Sequence, residues 1–115
     1  MDEPRDPQLL KGVLPMLVLA LLSERESYGY ELVTRLHEGG LDDLSAGTLY
    51  PVLNRLERYG QISSRLVAST AGPARKYYVP TDVGTQQLWT TARSWHQLAV
   101  TVDGLLARIT PKESS

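Results

Sequence analysis

The 115-residue sequence contains no cysteine and only two histidines. The absence of cysteine excludes a disulfide framework and a thiolate zinc site, and it suits the reducing environment of the cytoplasm. His37 and His96 each lack a carboxylate or imidazole three or four residues further along the chain, so neither begins a histidine metal site on a helix. We therefore expect a cytoplasmic protein without a metal or other cofactor.

Long hydrophobic runs are also lacking. The apolar segment 9–22 is interrupted by Lys11, Gly12 and Pro15. A transmembrane helix needs about 20 apolar residues, so this segment predicts a buried helix and no membrane span. Residues 1–7 are acidic and contain prolines, unlike the basic start of a signal peptide. The sequence therefore predicts a protein that neither spans a membrane nor carries a secretion signal.

Catalytic constellations are missing as well. There is no cysteine nucleophile, no histidine paired with a carboxylate, and no glycine-rich phosphate loop after a strand-like segment. We therefore do not expect an enzyme, and what the sequence does contain must point to binding.

Charge is nearly balanced overall but uneven along the chain. The formal net charge is −1, which by itself argues against a nucleic-acid partner. Residues 1–44 carry nine acids and four bases, residues 45–76 carry five bases and only Glu57, and residues 77–115 carry three of each. The middle segment therefore holds a net charge of +4, and such a basic stripe is an electrostatic footprint of nucleic-acid binding.

The stretch SAGTLYPVLNRLERYG, residues 45–60, predicts the helix around which the domain is organised. At helical spacing one face is aliphatic and is made of Leu49, Val52, Leu53 and Leu56. Asn54, Arg55 and Arg58 lie on the other face, where a planar amide and two guanidiniums suit contacts with bases and phosphates. This helix is the predicted recognition helix of a nucleic-acid-binding protein.

The start of this helix has two interpretations. Either Ser45 is the N-cap and Pro51 lies inside the helix, or Thr48 is the cap and Pro51 falls in the first turn. We expect a short turn at 45–48 with the regular helix after it. Tyr50 precedes a proline and is expected outside helical angles, with its ring aimed by the turn.

The flanking segments predict a winged helix. Residues 9–22 are apolar on nearly every face and predict a wrapped helix with a kink near Pro15. Ser27 is the predicted cap of a second helix that ends at Gly39-Gly40, which completes a helix-turn-helix. After Gly60 the period of the apolar residues changes from 3.6 to 2. This pattern predicts two short strands joined by a loop at residues 68–74, which together form a β-hairpin.

Arg75 and Lys76 flank the predicted hairpin loop. Strand alternation places their side chains on opposite faces, although both are long enough to reach phosphate. Tyr77 and Tyr78 divide in the same way, one toward the core and the other toward the surface.

The last segment predicts one long helix that is capped by Thr81 and ended by Thr110-Pro111. Its apolar residues recur at heptad spacing over three repeats: Leu88, Ala92, Trp95, Ala99, Val102, Leu106 and Ile109. A helix this long exceeds what a small domain can cover, so we interpret the seam as a homodimer interface. Twofold symmetry would bring Trp95 near its mate, either as packing or as a clamp for a planar ligand.

The order of these motifs resembles the PadR family of bacterial transcriptional regulators, in its smaller class with a single C-terminal helix. The motifs are LALL at 19–22, YGYEL at 28–32, GTLYPVLNRLERYG at 47–60 and RKYYVPTDVG at 75–84. The resemblance covers about residues 9–109, and Pro80 departs from it because leucine is more usual there. It implies a winged-helix dimer that binds a palindromic operator and usually represses, and some members release DNA when a small aromatic compound binds near the dimer centre.

The predicted fold is therefore mainly α with a small β-hairpin, a winged helix-turn-helix domain followed by a C-terminal dimerisation helix. The expected divisions are a flexible arm at 1–8, the DNA-binding domain at 9–80, the dimerisation helix at 81–110 and a disordered tail at 111–115.

The predicted function is a sequence-specific DNA-binding transcriptional repressor that acts as a homodimer and is released by a small aromatic effector. The alternative is a winged-helix protein-interaction module that does not bind DNA. The expected contacts with double-stranded DNA are Ser45, Thr48, Tyr50, Asn54, Arg55, Arg58, Arg75 and Lys76. The expected dimer contacts are Leu88, Ala92, Trp95, Ala99, Val102 and Leu106, with Trp95 also the candidate ligand contact.

Overall fold

A computed structural model describes residues 7–109, which form four helices and one antiparallel sheet with strand order β1-β3-β2. The elements in chain order are α1 (Pro7–Glu24), β1 (Ser27–Tyr28), α2 (Gly29–Glu38), α3 (Ala46–Arg58), β2 (Ile62–Ser69), β3 (Gly72–Pro80) and α4 (Asp82–Ala107). The mainly α fold with a small hairpin is thus confirmed. Helix α1 already includes residues 7–8, whereas the rest of the expected arm and the tail at 111–115 lie outside the described residues.

Helix α1 lies at the centre of the domain, as its apolar composition predicts. It contacts α2, α3, α4 and β3, and it contributes Leu14, Val18, Leu19 and Leu22 to the buried core. Pro15 lies inside α1, and the helix continues on both sides of it.

The prediction that Ser27 caps the second helix is wrong. Ser27 and Tyr28 form the short strand β1, which pairs with Tyr78 and Tyr77 of β3, and α2 begins at Gly29 without a side-chain cap. The Ser27 hydroxyl is fully buried and accepts a hydrogen bond from the Arg35 guanidinium at 2.8 Å. Ser27 therefore belongs to the sheet and the core instead of the start of a helix.

Helix α3 begins earlier than expected. Ser45 is its N-cap and accepts a hydrogen bond from the Thr48 backbone N–H at 3.2 Å, while Pro51 lies inside the helix. Tyr50 is helical, so the expectation of a non-helical conformation before proline is wrong. The preference against helix before proline is modest, and the side chain absent from Gly47 leaves room for the ring of Pro51.

Helices α2 and α3 end in the same way. The N–H of Leu41 reaches the carbonyl of Leu36 at 2.9 Å, and the N–H of Gln61 reaches that of Leu56 at 2.9 Å. In each case a glycine with positive φ precedes the donor: 119° at Gly40 and 74° at Gly60. These are Schellman motifs. The first leads the chain from α2 toward α3, and the second leads it from α3 into the hairpin of β2 and β3, which is the wing of the winged helix.

The hairpin of β2 and β3 is confirmed, with a tighter turn than expected. Ser69 pairs with Gly72, so Gly72 and Pro73 begin β3 instead of lying in the loop. Proline is tolerated as an early residue of a strand because no ladder hydrogen bond is required of it there.

Thr81 caps α4 as predicted. Its hydroxyl accepts a hydrogen bond from the N–H of Gly84 at 3.1 Å and donates one to the carbonyl of Gly60 at 2.6 Å. Gly84 packs so closely on the Gln61 carbonyl that a Cβ would overlap it. The beginning of α4 is thus held against the end of α3, and α4 ends at Ala107, before the expected Thr110.

Candidate nucleic-acid interface

The two faces of α3 divide as the helical period predicts. Its buried residues are Leu49, Val52, Leu53 and Leu56. Asn54, Arg55 and Arg58 are exposed on the opposite face. Within the described part of the chain, neither the Asn54 amide group nor the Arg55 guanidinium makes a side-chain hydrogen bond or an ion pair. The guanidinium of Arg58 lies over the ring of Tyr59, 5.5 Å from its centroid.

The N-terminal end of α3 presents two exposed hydroxyls. The oxygens of Ser45 and Thr48 lie 3.1 Å apart, so the two side chains hydrogen-bond each other while Ser45 caps the helix. Both predicted roles, capping and contact with DNA, are compatible with this geometry.

Arg75 and Lys76 lie on opposite faces of the sheet, as strand alternation predicts. The Arg75 guanidinium lies 4.5 Å from the ring centroid of Tyr28, which contacts Tyr77 edge-on at 5.2 Å. Lys76 shares the inner face with Tyr78, which is buried, whereas Tyr77 is only half-buried.

Lys76 is paired within the chain. Its ammonium donates a hydrogen bond to a Glu57 carboxylate oxygen at 3.0 Å, and the other oxygen accepts one from the Ser64 hydroxyl at 2.6 Å. The hydrogen bonds from Ser64 and Lys76 lower the pKa of Glu57, and the hydrogen bond to Glu57 raises the pKa of Lys76. Both groups are therefore charged at neutral pH.

An open groove of about 440 Å³ lies between α2, α3 and the wing. Its lining residues are Tyr28, Gly29, Tyr30, Tyr50, Ala74, Arg75, Lys76 and Tyr78. The Tyr50 ring packs directly over Gly29, where a Cβ would overlap its hydroxyl, and it meets the Tyr30 ring edge-on at 6.5 Å. The groove thus brings three predicted contacts together: Tyr50 from α3 with Arg75 and Lys76 from the wing.

Sequence reasoning did not single out Tyr28, Gly29 or Tyr30 as part of this groove. These residues belong to the motif YGYEL, which supports the family resemblance, and the small residue between its two tyrosines is a usable signal of this groove. A glycine between aromatic residues at a helix start indicates a close approach of another side chain, which here is the Tyr50 ring.

The predicted seam on α4 is divided between two environments. Leu88 is only 7% exposed because it packs in the chain's own core, so little of its side chain is left for a partner. Ala92 and Ala99 are half-buried, while Trp95, Val102 and Leu106 are exposed. The seam therefore begins inside the domain and emerges from it along the helix.

A second groove, of about 310 Å³, lies between α1 and α4. It is lined by Gln8, Leu9, Gly12, Val13, Met16, Thr91, Ser94, Trp95 and Leu98, none of which is ionisable. Trp95 thus forms one wall of an apolar cleft.

Two absences hold for residues 7–109. No helix in this range is long and apolar enough to cross a membrane. No cluster of three or more acidic, histidine or cysteine side chains suited to a metal ion is found there either.

Comparison with known proteins agrees with this geometry. The profile described as "Transcriptional regulator PadR-like family" matches residues 18–90. A PadR-like transcriptional regulator from Bacillus cereus is 44% identical with a TM-score of 0.77, and the match covers 86% of this chain and 96% of that one. A PadR family regulator from Eggerthella lenta is 40% identical with a TM-score of 0.79, covering 86% of both chains. An uncharacterised protein from Lysinibacillus sphaericus is 28% identical over 97 residues, 83% of this chain and 89% of that protein. The chain therefore belongs to the PadR-like family, whose members are DNA-binding transcriptional regulators and not enzymes.

Proposed function

We propose that this regulator is a repressor that binds a palindromic operator as a homodimer and is released by a small aromatic compound. The observation that carries the proposal is the exposed, unpaired pair Asn54 and Arg55 on α3, beside a groove lined by Tyr50 and Arg75. An amide and a guanidinium with no partner in the described chain are available to base edges.

Helix α3 lies in the major groove with its exposed face, which carries Asn54 and Arg55, toward the bases. Asn54 can pair bidentately with adenine and Arg55 with guanine, each contact giving about 1–3 kcal/mol of discrimination between bases. Ser45 and Thr48 lie at the end that a recognition helix presents to the bases or the adjoining phosphates. Arg58, near the other end, meets the DNA backbone.

The open groove beside α3 takes the DNA backbone. The Arg75 guanidinium provides a charge-assisted contact to phosphate, and the tyrosine hydroxyls of the lining, including Tyr50, provide neutral donors. Lys76 lines the same groove, although its ammonium forms an ion pair with the Glu57 carboxylate. Such contacts position the protein on the duplex without reading its sequence.

The homodimer is supported by the apolar residues that α4 leaves exposed. Those on the seam side are Trp95, Leu98, Val102, Leu105 and Leu106, and Ile109 follows just after the end of the helix. A contiguous apolar surface of this kind marks an interaction site, and a second copy offers the same heptad spacing in return. A dimer presents two recognition helices to half-sites about 34 Å apart, which accounts for a palindromic operator.

The effector site is the cleft between α1 and α4. Its apolar lining and the face of Trp95 suit a planar aromatic molecule, and the absence of ionisable lining residues favours a neutral ligand. A compound bound there contacts α1 of the DNA-binding domain and the dimerisation helix α4 together. It can therefore change the distance between the two DNA-binding domains of the proposed dimer.

The test of DNA binding is a titration against duplex that contains the regulator's own promoter region. Affinity should fall steeply with salt because phosphate contacts release counterions. Arg55→Ala should relax the sequence preference and cost about 1–3 kcal/mol on the preferred site. Salt-independent or absent binding would contradict the proposal and favour the protein-interaction module.

The test of the effector site is fluorescence quenching with a panel of planar aromatic compounds. Trp95→Leu should abolish the quenching, whereas Trp89→Leu, on another face of α4, should leave it intact. Quenching that survives Trp95→Leu would place the ligand elsewhere.

A further inference from the structure

Glu57 is the only acidic residue among the five basic side chains of residues 45–76. It lies on α3 between Arg55 and Arg58, on the predicted recognition helix, where a carboxylate repels DNA phosphate. An isolated acid in such a segment needs an explanation, and its contacts within the domain provide one.

The carboxylate of Glu57 joins the recognition helix to both strands of the wing. One oxygen accepts a hydrogen bond from the Ser64 hydroxyl on β2 at 2.6 Å, and the other accepts one from the Lys76 ammonium on β3 at 3.0 Å. Ser64 pairs with Tyr78, two residues from Lys76, so both donors lie on the sheet face that packs against α3. A single side chain therefore links both strands of the hairpin to the helix.

The same contact pairs the positive charge of Lys76 with the negative charge of Glu57. The side chain of Lys76 is 45% exposed and that of Glu57 is 32% exposed, so the ammonium remains within reach of a phosphate. What keeps Lys76 from acting as a phosphate ligand is thus its pairing and not its burial. Removing the negative partner would release a positive charge at the rim of the groove that Lys76 lines.

We propose that Glu57 is a positioning residue for DNA binding that fixes the wing on the recognition helix and withholds the charge of Lys76 from DNA phosphates. The inference rests on the proposed function. Non-specific affinity is set by the number of phosphates that the protein neutralises, whereas Asn54 and Arg55 read base edges. Withholding one cation per protomer therefore lowers the affinity for random DNA and leaves the base contacts intact, which widens the preference for the operator.

The experiment compares salt dependence for four proteins: wild type, Glu57→Gln, the double variant Glu57→Gln/Lys76→Gln, and Asp103→Asn. Glutamine keeps the length of Glu57 and an acceptor for Ser64, so it removes the charge while the wing stays in place. Asp103→Asn makes the same change of net charge on exposed α4, away from the wing. Each protein is titrated against operator and random duplex over a range of salt concentrations.

For Glu57→Gln we expect the slope of log affinity against log salt to steepen by about 0.9 per protomer, the value for one added phosphate contact on B-DNA. Its affinity for random duplex should rise more than that for the operator. The double variant, which has the wild-type net charge, should return to the wild-type slope, and Asp103→Asn should keep it.

Other outcomes separate the inference from the proposed function. If the wild type binds with a salt-dependent affinity but Glu57→Gln leaves the slope unchanged, the inference is overturned and DNA binding stands. A double variant with a slope shallower than wild type would show that Lys76 already contacts phosphate, which also overturns the inference. Wild-type protein that binds no duplex would overturn both.

A measurement on the free wild-type protein makes the inference independent of how the variants fold. NMR titration of the Glu57 carboxyl should give a pKa below the value of about 4.3 for an unperturbed glutamate. A carboxyl that titrates at the ordinary value would show that the contact with Ser64 and Lys76 is not formed.

Discussion

Arg35 is the charged side chain that ties the first helix to the sheet. It is buried, and its guanidinium donates to the Ser27 hydroxyl at 2.8 Å, the Leu21 carbonyl at 2.9 Å and the Glu24 carboxylate at 2.8 Å. Helix α1 has no basic residue in its last turn, so Arg35 supplies from α2 the positive charge that such a helix end favours. One residue thereby links α1, β1 and α2.

Replacing Arg35 should be costly for stability. Arg35→Met keeps the apolar stem but leaves these acceptors without their donor, so we expect the free energy of unfolding to fall by about 3 kcal/mol. Arg35→Lys should recover only part of this, because one ammonium cannot span the same acceptors.

The control for Arg35 is Arg25→Met. Arg25 is exposed and pairs with Glu31 at the surface, so its loss should cost less than about 1 kcal/mol. Urea unfolding, with the slope m checked for constancy, measures both changes. Equal costs for the two variants would show that the buried network contributes no more than a surface pair.

Gly29 is a single residue on which the shape of the open groove beside α3, the proposed phosphate site, depends. Gly29→Ala places a methyl group where the Tyr50 hydroxyl lies, so the ring must move. We expect a loss of about 1–3 kcal/mol in stability from overpacking, together with weaker DNA binding.

Gly104→Ala is the matched control, because a Cβ there meets open space within helix α4. That change should stabilise the protein by about 0.5–1 kcal/mol. Thermal unfolding and a duplex titration measure both variants. Unchanged stability and DNA affinity in Gly29→Ala would mean that the position of the Tyr50 ring is unimportant.

The secondary-structure elements differ in how well their sequences predict them. The buried and exposed faces of α3 follow from a 3.6-residue period, and the hairpin follows from a period of two, so both are confirmed. Strand β1 has only two residues, so it has no period that could predict it. Its Ser27 is a residue type typical of helix caps, and the sequence therefore predicts a cap there. The residues of the proposed site differ in the same way. The helical period predicts that Asn54 and Arg55 share one exposed face. The pairing of Glu57 with Lys76 joins two residues that are 19 positions apart in different elements, and no sequence pattern predicts it.

The junction of α3 with α4 depends on Thr81. Thr81→Ala removes both the cap of α4 and the hydrogen bond to the Gly60 carbonyl, so we expect a loss of about 1–2 kcal/mol. Thr81→Ser keeps the hydroxyl and should stay within about 0.5 kcal/mol of wild type. Chemical unfolding checks both, and a serine variant as unstable as the alanine variant would assign the effect to the methyl group instead.

The fold is more extended than a compact domain of similar length. Its radius of gyration is 16.9 Å, against about 13 Å expected for a compact domain of 115 residues. Helix α4 is the longest element, with 26 residues, and its later residues lie beyond the cleft with α1 and expose a series of aliphatic side chains. An exposed apolar face of this kind marks an interaction surface, and the second copy in the proposed homodimer would cover it symmetrically.

Two valines on α4 test this interpretation. Val102 lies on the seam and Val100 on another face, about 200° away around the helix. Val102 is 41% exposed and Val100 is 72% exposed, so neither is essential to the core of one chain. Val102→Glu should yield a monomer in size-exclusion chromatography with light scattering, because two carboxylates would meet across the twofold axis in an apolar interface.

Val100→Glu adds the same charge two residues away and should remain dimeric. Because two linked recognition helices bind half-sites together, the monomeric Val102→Glu protein should also lose operator affinity by a large factor while it stays folded by circular dichroism. If instead Val100→Glu dissociates the protein and Val102→Glu does not, the dimer uses the face of α4 opposite to the heptad seam. A wild type that is monomeric at micromolar concentration would remove the symmetric partner altogether, and the exposed aliphatic residues of α4 would then need a different protein to cover them.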